Sequence, residues 1–300
     1  MAFLNCAGQL IDLSIPHIMG VINITPNSFS DVGRFQTTSL ALAHAAQLIA
    51  EGASILDIGG EPTNPGVHPV TSLQQELDRV IPVVESLVRE FSIPISVDTS
   101  KPQVMREAIA QGATMINDVR ALADPQALQV VADSKAAVCL MHMSYPQGKP
   151  EFNDGQDLLA DEPVLAVKDF LQARVTACLD AGISRDRIVI DPGIGHGNFG
   201  KNLTQNLLLL NRLEEFKSLG LPLLLGVSRK TFIGELLDLP VAERLYGSIA
   251  AAVVAVLNGA NLIRVHDVRP TVEAIKVAAA IMAEQATHSK YINKESYHDS

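Results

Sequence analysis

The 300-residue sequence predicts one closed barrel in which parallel β-strands each lead into a helix, the (β/α)8 architecture, and three observations predict it. Short apolar segments rich in β-branched residues alternate with longer segments of helical spacing, the pattern of parallel strands joined by crossover helices. The alternation runs through about eight cycles with no linker between them, and about 250 residues is an ordinary length for a single α/β barrel. Each apolar segment also ends in polar or ionisable residues: Asn23, Asp57, Asp98, Asn117 with Asp118, His142, Asp191, Arg229 with Lys230, and Arg264 with His266. In a barrel all strand ends open onto one face, so these groups converge on one pocket. A doubly wound open sheet would give the same alternation, but amides, carboxylates and cations spread around the full cycle favour the closed form.

Alternation in Gly8–Leu13 predicts a short hairpin that closes the bottom of the barrel. The strands follow as His17–Ile24, Ser54–Gly59, Ile93–Asp98, Thr114–Asp118, Ala136–His142, Arg187–Asp191, Leu221–Val227 and Asn261–Val265. Helical spacing marks Leu40–Glu51, Leu73–Phe91, Pro102–Gln111, Pro125–Asp133, Glu162–Ala181, Asn206–Leu219, Arg244–Leu257 and Thr271–Gln285. Gly52, Gly112, Gly182, Gly220 and Gly259 follow these helices at positions suited to a C-cap. Long loops are expected at Thr25–Thr38 and Gly60–Thr71, with a Pro/Gly-rich third at Ser144–Asp161, all at the face where loops act as lids. The barrel is read over residues 1–288 and a polar, frayed tail over 289–300.

Composition narrows the function classes. Hydrophobic residues at 47% and charged residues at 19% supply a large core and exclude a disordered or fibrous chain. A net charge of −10, no dense Lys/Arg stretch and no Trp argue against nucleic-acid or anionic-lipid partners. The longest apolar run, Ile249–Leu257, falls short of the ~18 residues of a membrane span, and no signal-peptide pattern opens the chain, so a cytoplasmic location is expected. Cys6, Cys139 and Cys178 stand at no metal-ligand spacing, so neither a disulfide nor a zinc site is expected. An acidic chain still binds a phosphate ester where a few basic side chains converge. The glycine-rich stretch Gly193–Gly200 lacks the GK[ST] ending of a Walker A loop.

Read together, MGVINITPNSFSDVG (Met19–Gly33), DIGGEPTNPG (Asp57–Gly66), SVDTSKP (Ser96–Pro102), INDV (Ile116–Val119), MHM (Met141–Met143), DPGIGHG (Asp191–Gly197), GVSRKTFIG (Gly226–Gly234) and IRVHDV (Ile263–Val268) resemble the dihydropteroate synthases. The resemblance spans about residues 8 to 285 and covers every strand-to-helix junction in order. It implies condensation of 6-hydroxymethyl-7,8-dihydropterin diphosphate with p-aminobenzoate, release of diphosphate, use of Mg²⁺, a homodimer and a target for sulfonamides. The helices at Ile249–Leu257 and Thr271–Met282 offer apolar surface for such a dimer.

The same resemblance assigns roles. Asp191 would accept the paired N–H groups on one edge of the pterin, and Asn117 would meet positions that offer both a donor and an acceptor. Asp98 would face the other side of the ring and stabilise positive charge that develops there. Lys230, with Arg229 beside it, would stand against the pterin carbonyl and ring nitrogen; Gly226 would let the ring lie close to the strand, and Met141 would pack on its face. Arg264 and His266 alternate along the last strand and so emerge on one face, near the place where barrels often build phosphate sites. Thr63 would add a hydroxyl, and Asn23 would be the protein ligand for Mg²⁺. Asp98, Lys230, Arg264 and His266 are the expected catalytic groups, with Asn27, Phe29, Asp31, Pro62 and Asn64 in loops that close over the site. An arylamine is neutral at pH 7 and needs no strong base, and the electron-rich dihydropterin can stabilise a carbocation at its exocyclic methylene, so diphosphate is expected to leave before the amine attacks.

Departures and rivals follow from the residues. Pro62-Thr63-Asn64 lacks the arginine common in the family's second loop, Pro26-Asn27 lacks an acidic residue, and Ile194–Phe199 lengthens the segment that usually walls the aminobenzoate pocket, leaving His196 or Phe199 for that task. His142 reads as a pocket-wall or core histidine. A Schiff-base role for Lys230, a pterin-dependent methyl transfer to a corrinoid protein, and an idle pterin-binding paralogue are the alternatives.

Overall fold

The computed structural model describes residues 3–24, 34–61, 71–143, 162–196 and 199–295, with side-chain surroundings for the first helix from residue 38 and for the last helix to residue 283. An antiparallel hairpin, β1 (Phe3–Cys6) and β2 (Gln9–Asp12), precedes the barrel wall. The wall strands are β3 (His17–Asn23), β4 (Ile55–Gly59), β5 (Ile95–Asp98), β6 (Met115–Asp118), β7 (Ala137–Met141), β8 (Ile188–Asp191), β9 (Leu224–Gly226) and β10 (Leu262–Val265). Their parallel order is β8-β7-β6-β5-β4-β3-β10-β9. A single bridge between Ile190 and Leu223, with the Ile190 N–H donating to the Pro222 carbonyl at 3.0 Å, joins the two ends and closes the barrel.

The outer ring consists of α1 (Arg34–Ala50), α2 (Leu73–Glu90), α3 (Pro102–Ala110), α4 (Pro125–Ala132), α5 (Pro163–Asp180), α6 (Leu203–Asn211), α7 (Thr231–Leu237), α8 (Leu245–Leu257) and α9 (Val268–Glu295). Among the described residues no helix is long and apolar enough to cross a membrane. All five predicted C-cap glycines adopt positive φ, from +65° at Gly220 to +107° at Gly52, the left-handed turn that releases the chain from a helix into the next strand.

Strand periodicity sorts the wall residues into two sets. Ile18, Ile22, Leu56, Ile58, Val97, Ile116, Val138, Leu140, Ile190 and Ile263 pack outward in the large core shared with the helices. Met19, Ile55, Met115, Ala137, Cys139, Val189, Leu224 and Leu262 point inward at the lower end. Leu4, Cys6, Ile11 and Leu13 of the hairpin join this second cluster, so the hairpin plugs the barrel bottom as predicted. One step of two residues further along the strands, the inward positions become Asp57, Asn117, Met141, Asp191, Gly226 and Arg264, with Ser96 and Asp98 on β5. The apolar plug is therefore the floor beneath a polar layer.

Several boundaries differ from expectation. The helix α1 begins at Arg34 rather than Leu40. The single helix expected over Asn206–Leu219 is an α-helix, begun by an Asn202–Gln205 capping box, followed by a 3₁₀ segment at Leu213–Leu219; the break falls at Arg212, whose guanidinium turns back onto Glu215 at 2.5 Å. The strand expected over Leu221–Val227 is only Leu224–Gly226, since Pro222 has no N–H for the ladder. Helix α7 has seven residues, too few for a periodic signal in the sequence, and α9, expected to end at Gln285, continues to Glu295.

The plug gives a stability prediction. Leu4 is fully buried against the barrel floor, so Leu4→Ala should cost about 2–5 kcal/mol, read as a lowered urea midpoint. A midpoint equal to that of the unaltered chain would show that the hairpin does not seal the floor.

Candidate active site

The polar layer is organised by one guanidinium. Arg264 on β10 donates from Nε to Asp57 Oδ2 at 2.6 Å and from Nη2 to Asp98 Oδ2 at 2.9 Å. Asp57 Oδ2 also accepts from Asn117 Nδ2 at 3.2 Å, so the Asp57 carboxylate ties the ends of β4, β6 and β10, and Arg264 brings in β5 through Asp98. Asp57 is fully buried, and its Oδ1 has no protein partner. Burial pushes Asp98 up to about 7, with Arg264 opposing and Asp57, Glu76 and Asp118 adding to the rise. Arg264 pays for its burial with these carboxylates, which hold it protonated above its ordinary value.

The opposite wall carries Asp191 and Lys230. Asp191 Oδ1 accepts from the Gly193 N–H at 2.7 Å, yet burial raises its carboxyl to about 6. Lys230, at the start of α7, donates to the Ile194 carbonyl at 2.8 Å, and its Nζ lies 3.8 Å from the centre of the Phe199 ring, a cation–π contact. Burial lowers Lys230 to about 8, against the pull of Asp191. Phe199 packs with Met141 and Met143, while His196 turns to Glu235 with its Nδ1 2.6 Å from Oε1. At Gly226 a Cβ would meet only Arg264 Cβ, at 4.0 Å, so the pocket beside β9 stays open.

At the rim, His266 bonds through Nδ1 to Ser228 Oγ at 3.1 Å. Part of the residue is open to solvent, but burial of the imidazole, with the cations Arg264 and Arg229, pushes it down to about 4, so it is neutral at pH 7. Arg229 has φ +57° and forms a two-pronged ion pair with Asp267 at 2.9 and 2.6 Å, while Arg244 donates to its carbonyl. Its fork is thus committed to joining the turns after β9 and β10.

Asn23 ends β3 and is exposed. Its Oδ1 lies 3.4 Å, and Asp98 Oδ2 3.9 Å, from the point where a Cβ on Gly59 would stand, so these oxygens flank the same small residue. Among the described residues no group of three His, Cys, Asp or Glu side chains could hold a metal. A lone amide oxygen fits a hard cation that brings most of its oxygen ligands with a phosphate substrate. Asn27, Phe29, Asp31, Pro62, Thr63 and Asn64 lie outside the described residues.

Some residues that shape the site were not assigned from sequence. Asp57 was visible only as a polar strand end, and its tie to Arg264 spans 207 residues. Asp118 accepts from Ser100 Oγ at 2.5 Å and from the Arg120 and Leu122 N–H groups, holding a turn in which Ala121 and Leu122 both have positive φ. Fully buried Glu76 on α2 accepts from Thr99 Oγ1 at 2.5 Å and pairs with Lys101, which also reaches Glu61 at 2.7 Å. Inward strand periodicity could have found Asp57; nothing local marks the other contacts.

Residues 19–266 match the family model of pterin binding enzymes. The chain is 47% identical over 276 residues to dihydropteroate synthase of Escherichia coli K12, covering 92% of this chain and 95% of that protein. Among solved structures, dihydropteroate synthase of Coxiella burnetii in complex with pteroic acid superposes with a TM-score of 0.82 at 47% identity, covering 92% of this chain and 97% of that one. Xanthomonas albilineans dihydropteroate synthase with 4-aminobenzoic acid gives a TM-score of 0.84 at 46% identity, covering 94% and 98%.

The shared carboxylate gives the second prediction. Asp57→Ala strands a buried guanidinium edge and the Asn117 amide, so stability should fall by about 3 kcal/mol or more. A denaturation midpoint within error of the parent chain would mean that Asp57 does not organise this layer.

Proposed function

The chain belongs to the dihydropteroate synthases among the pterin-binding enzymes, and on that premise we propose how its residues divide the work. It is a transferase that joins 6-hydroxymethyl-7,8-dihydropterin diphosphate to p-aminobenzoate, giving 7,8-dihydropteroate and diphosphate. The observation that carries the assignment of the pocket is the pair of facing walls: Asp191 with Lys230 on one side, and Arg264 holding Asp57, Asp98 and Asn117 on the other. Asp191 and Asn117 read the hydrogen-bonding edge of the flat pterin. Lys230 donates to its carbonyl side, Gly226 leaves room for the ring, and Met141 packs on its face.

Diphosphate leaves toward the rim. Two nitrogens of Arg264 are held by carboxylates, so Nη1 is the group offered to a phosphate oxygen, and neutral His266 adds an N–H while Ser228 holds its other nitrogen. Ionised Asp98 faces the ring and stabilises the cation left on the pterin methylene, which is electrostatic catalysis by groups fixed in advance. Asn23 is the residue that would hold Mg²⁺, and the bound ion would supply charge neutralisation to the diphosphate. The neutral amine of p-aminobenzoate then attacks. Phe199, stacked under Lys230, is assigned as the wall for that substrate, because His196 is occupied by Glu235. Arg229 serves the turn through Asp267.

Exposed Val254 and Leu257 on α8, with Val277, Ile281 and Met282 on α9, form the apolar face assigned to a homodimer of a cytoplasmic enzyme. The experiment that tests the reaction is diphosphate release measured with and without p-aminobenzoate; release that ignores the amine would overturn the assignment.

Protonation supplies a further prediction. The Asp98 carboxyl is raised by burial, so lowering pH through about 7 neutralises it and removes the charge that faces the cation. In the free enzyme, kcat/KM for pterin diphosphate should therefore fall as pH drops below about 7, and Asp98→Asn should be slower by about 100-fold and lack that limb. An unchanged limb in the variant would assign the titration elsewhere. Asp191→Asn turns an acceptor into a donor opposite the ring N–H groups, and should weaken binding of a pterin lacking phosphates by roughly 2–4 kcal/mol in calorimetry.

A further inference from the structure

Behind the Phe199 wall lies a buried lysine for which the proposed reaction has no use. Lys201, between β8 and α6, is 3% exposed and donates to the Phe199 carbonyl at 3.0 Å. Its Nζ also lies 3.0 Å from His142 Nδ1. When Lys201 is protonated it is the donor there, and the imidazole proton then sits on Nε2. Burial and the neighbouring Lys201 charge lower His142 well below its ordinary value, while burial lowers Lys201 to about 7. Among the described residues no carboxylate lies within ion-pair distance of Lys201. Asp191 attracts this ammonium through space without an ion pair, and burying an ammonium whose direct partners are an imidazole and a carbonyl costs stability, so a methionine of similar length would serve packing better.

The contacts describe a clamp. His142 follows β7 and is held edge-on to Phe170, 4.9 Å between ring centres at 83°. Gly193, with φ +72°, lies so close to it that a Cβ would fall 1.9 Å from the His142 carbonyl oxygen. Lys201 therefore joins His142, at the end of β7, to the main chain of the residue whose ring lies against Lys230.

We propose that Lys201 is a positioning residue that pins the Phe199 main chain to His142 and so fixes the Phe199 ring under Lys230 as the surface on which the arylamine substrate is placed. The consequence for the arylamine rests on the assignment of Phe199 as its wall; the clamp itself does not. Lys201→Met keeps the length of the side chain and removes the donors. It should raise the KM for p-aminobenzoate about tenfold and move that for pterin diphosphate less than about twofold. Because the effect passes through Phe199, adding Lys201→Met to Phe199→Ala should change the p-aminobenzoate KM by less than about twofold. The chain has no tryptophan, so Phe199→Trp places a single reporter, and acrylamide should quench it more strongly once Lys201→Met is added. Effects that multiply in the double variant, a parallel rise of both KM values, or unchanged quenching would each overturn the clamp. An unaltered p-aminobenzoate KM in Phe199→Ala alone would instead reject Phe199 as the wall, and the quenching result would still decide the clamp.

Discussion

The barrel closes over an arginine it cannot do without. Arg264 is the guanidinium between Asp57 and Asp98, and it shares the barrel mouth with buried Asp191 and Lys201 and half-buried Lys230. Like charges crowded in such a place raise one another's cost, and opposite charges repay it only with good geometry. The fork of Arg264 supplies that geometry from one strand to two others. Asn117 is oriented through the same Asp57 oxygen, so the orientation of the amide, the ionisation of Asp98 and the donors left over for a phosphate all follow from a single side chain.

Beneath this layer the apolar plug keeps water from entering from below, which strengthens every interaction above it. The plug and the polar layer are the same strands read two residues apart, Met115 under Asn117, Val189 under Asp191, Leu262 under Arg264. A one-residue slip in any strand would send its functional side chain into the helix-packed core. The large outer core therefore fixes the register of the site as well as the stability of the fold. The charges of this layer are therefore held in place by the scaffold, the condition that electrostatic preorganisation requires.

The strand-to-helix cycle and the convergence of strand-end polar residues were legible in the sequence because period-two and helical patterns are local, as were the hairpin and the C-cap glycines. Asp191, Asn117, Asp98, Lys230 and Arg264 could be named because each follows an apolar run inside a specific motif. The partners of those residues could not. Arg264 meets Asp57 and Asp98 only because closure brings β10 within reach of β4 and β5, and Arg229 looks identical in sequence whether it faces the pocket or Asp267. His196 and Phe199 are alike in sequence for the same reason: both are aromatic rings in one glycine-rich segment, and only folding brings one to Glu235 and the other to Lys230.

The central claim is that charges held ready around the pterin let diphosphate depart before the amine arrives. Positional isotope exchange tests it most directly: pterin diphosphate carrying ¹⁸O in the bridging position is incubated with enzyme and Mg²⁺ in the absence of p-aminobenzoate, and the label is followed by ³¹P NMR. The account predicts that label moves into non-bridging positions, and that Asp98→Asn suppresses the movement. Absence of scrambling in the unaltered enzyme, under conditions where bound diphosphate is shown to rotate freely, would contradict it and leave direct displacement by the amine.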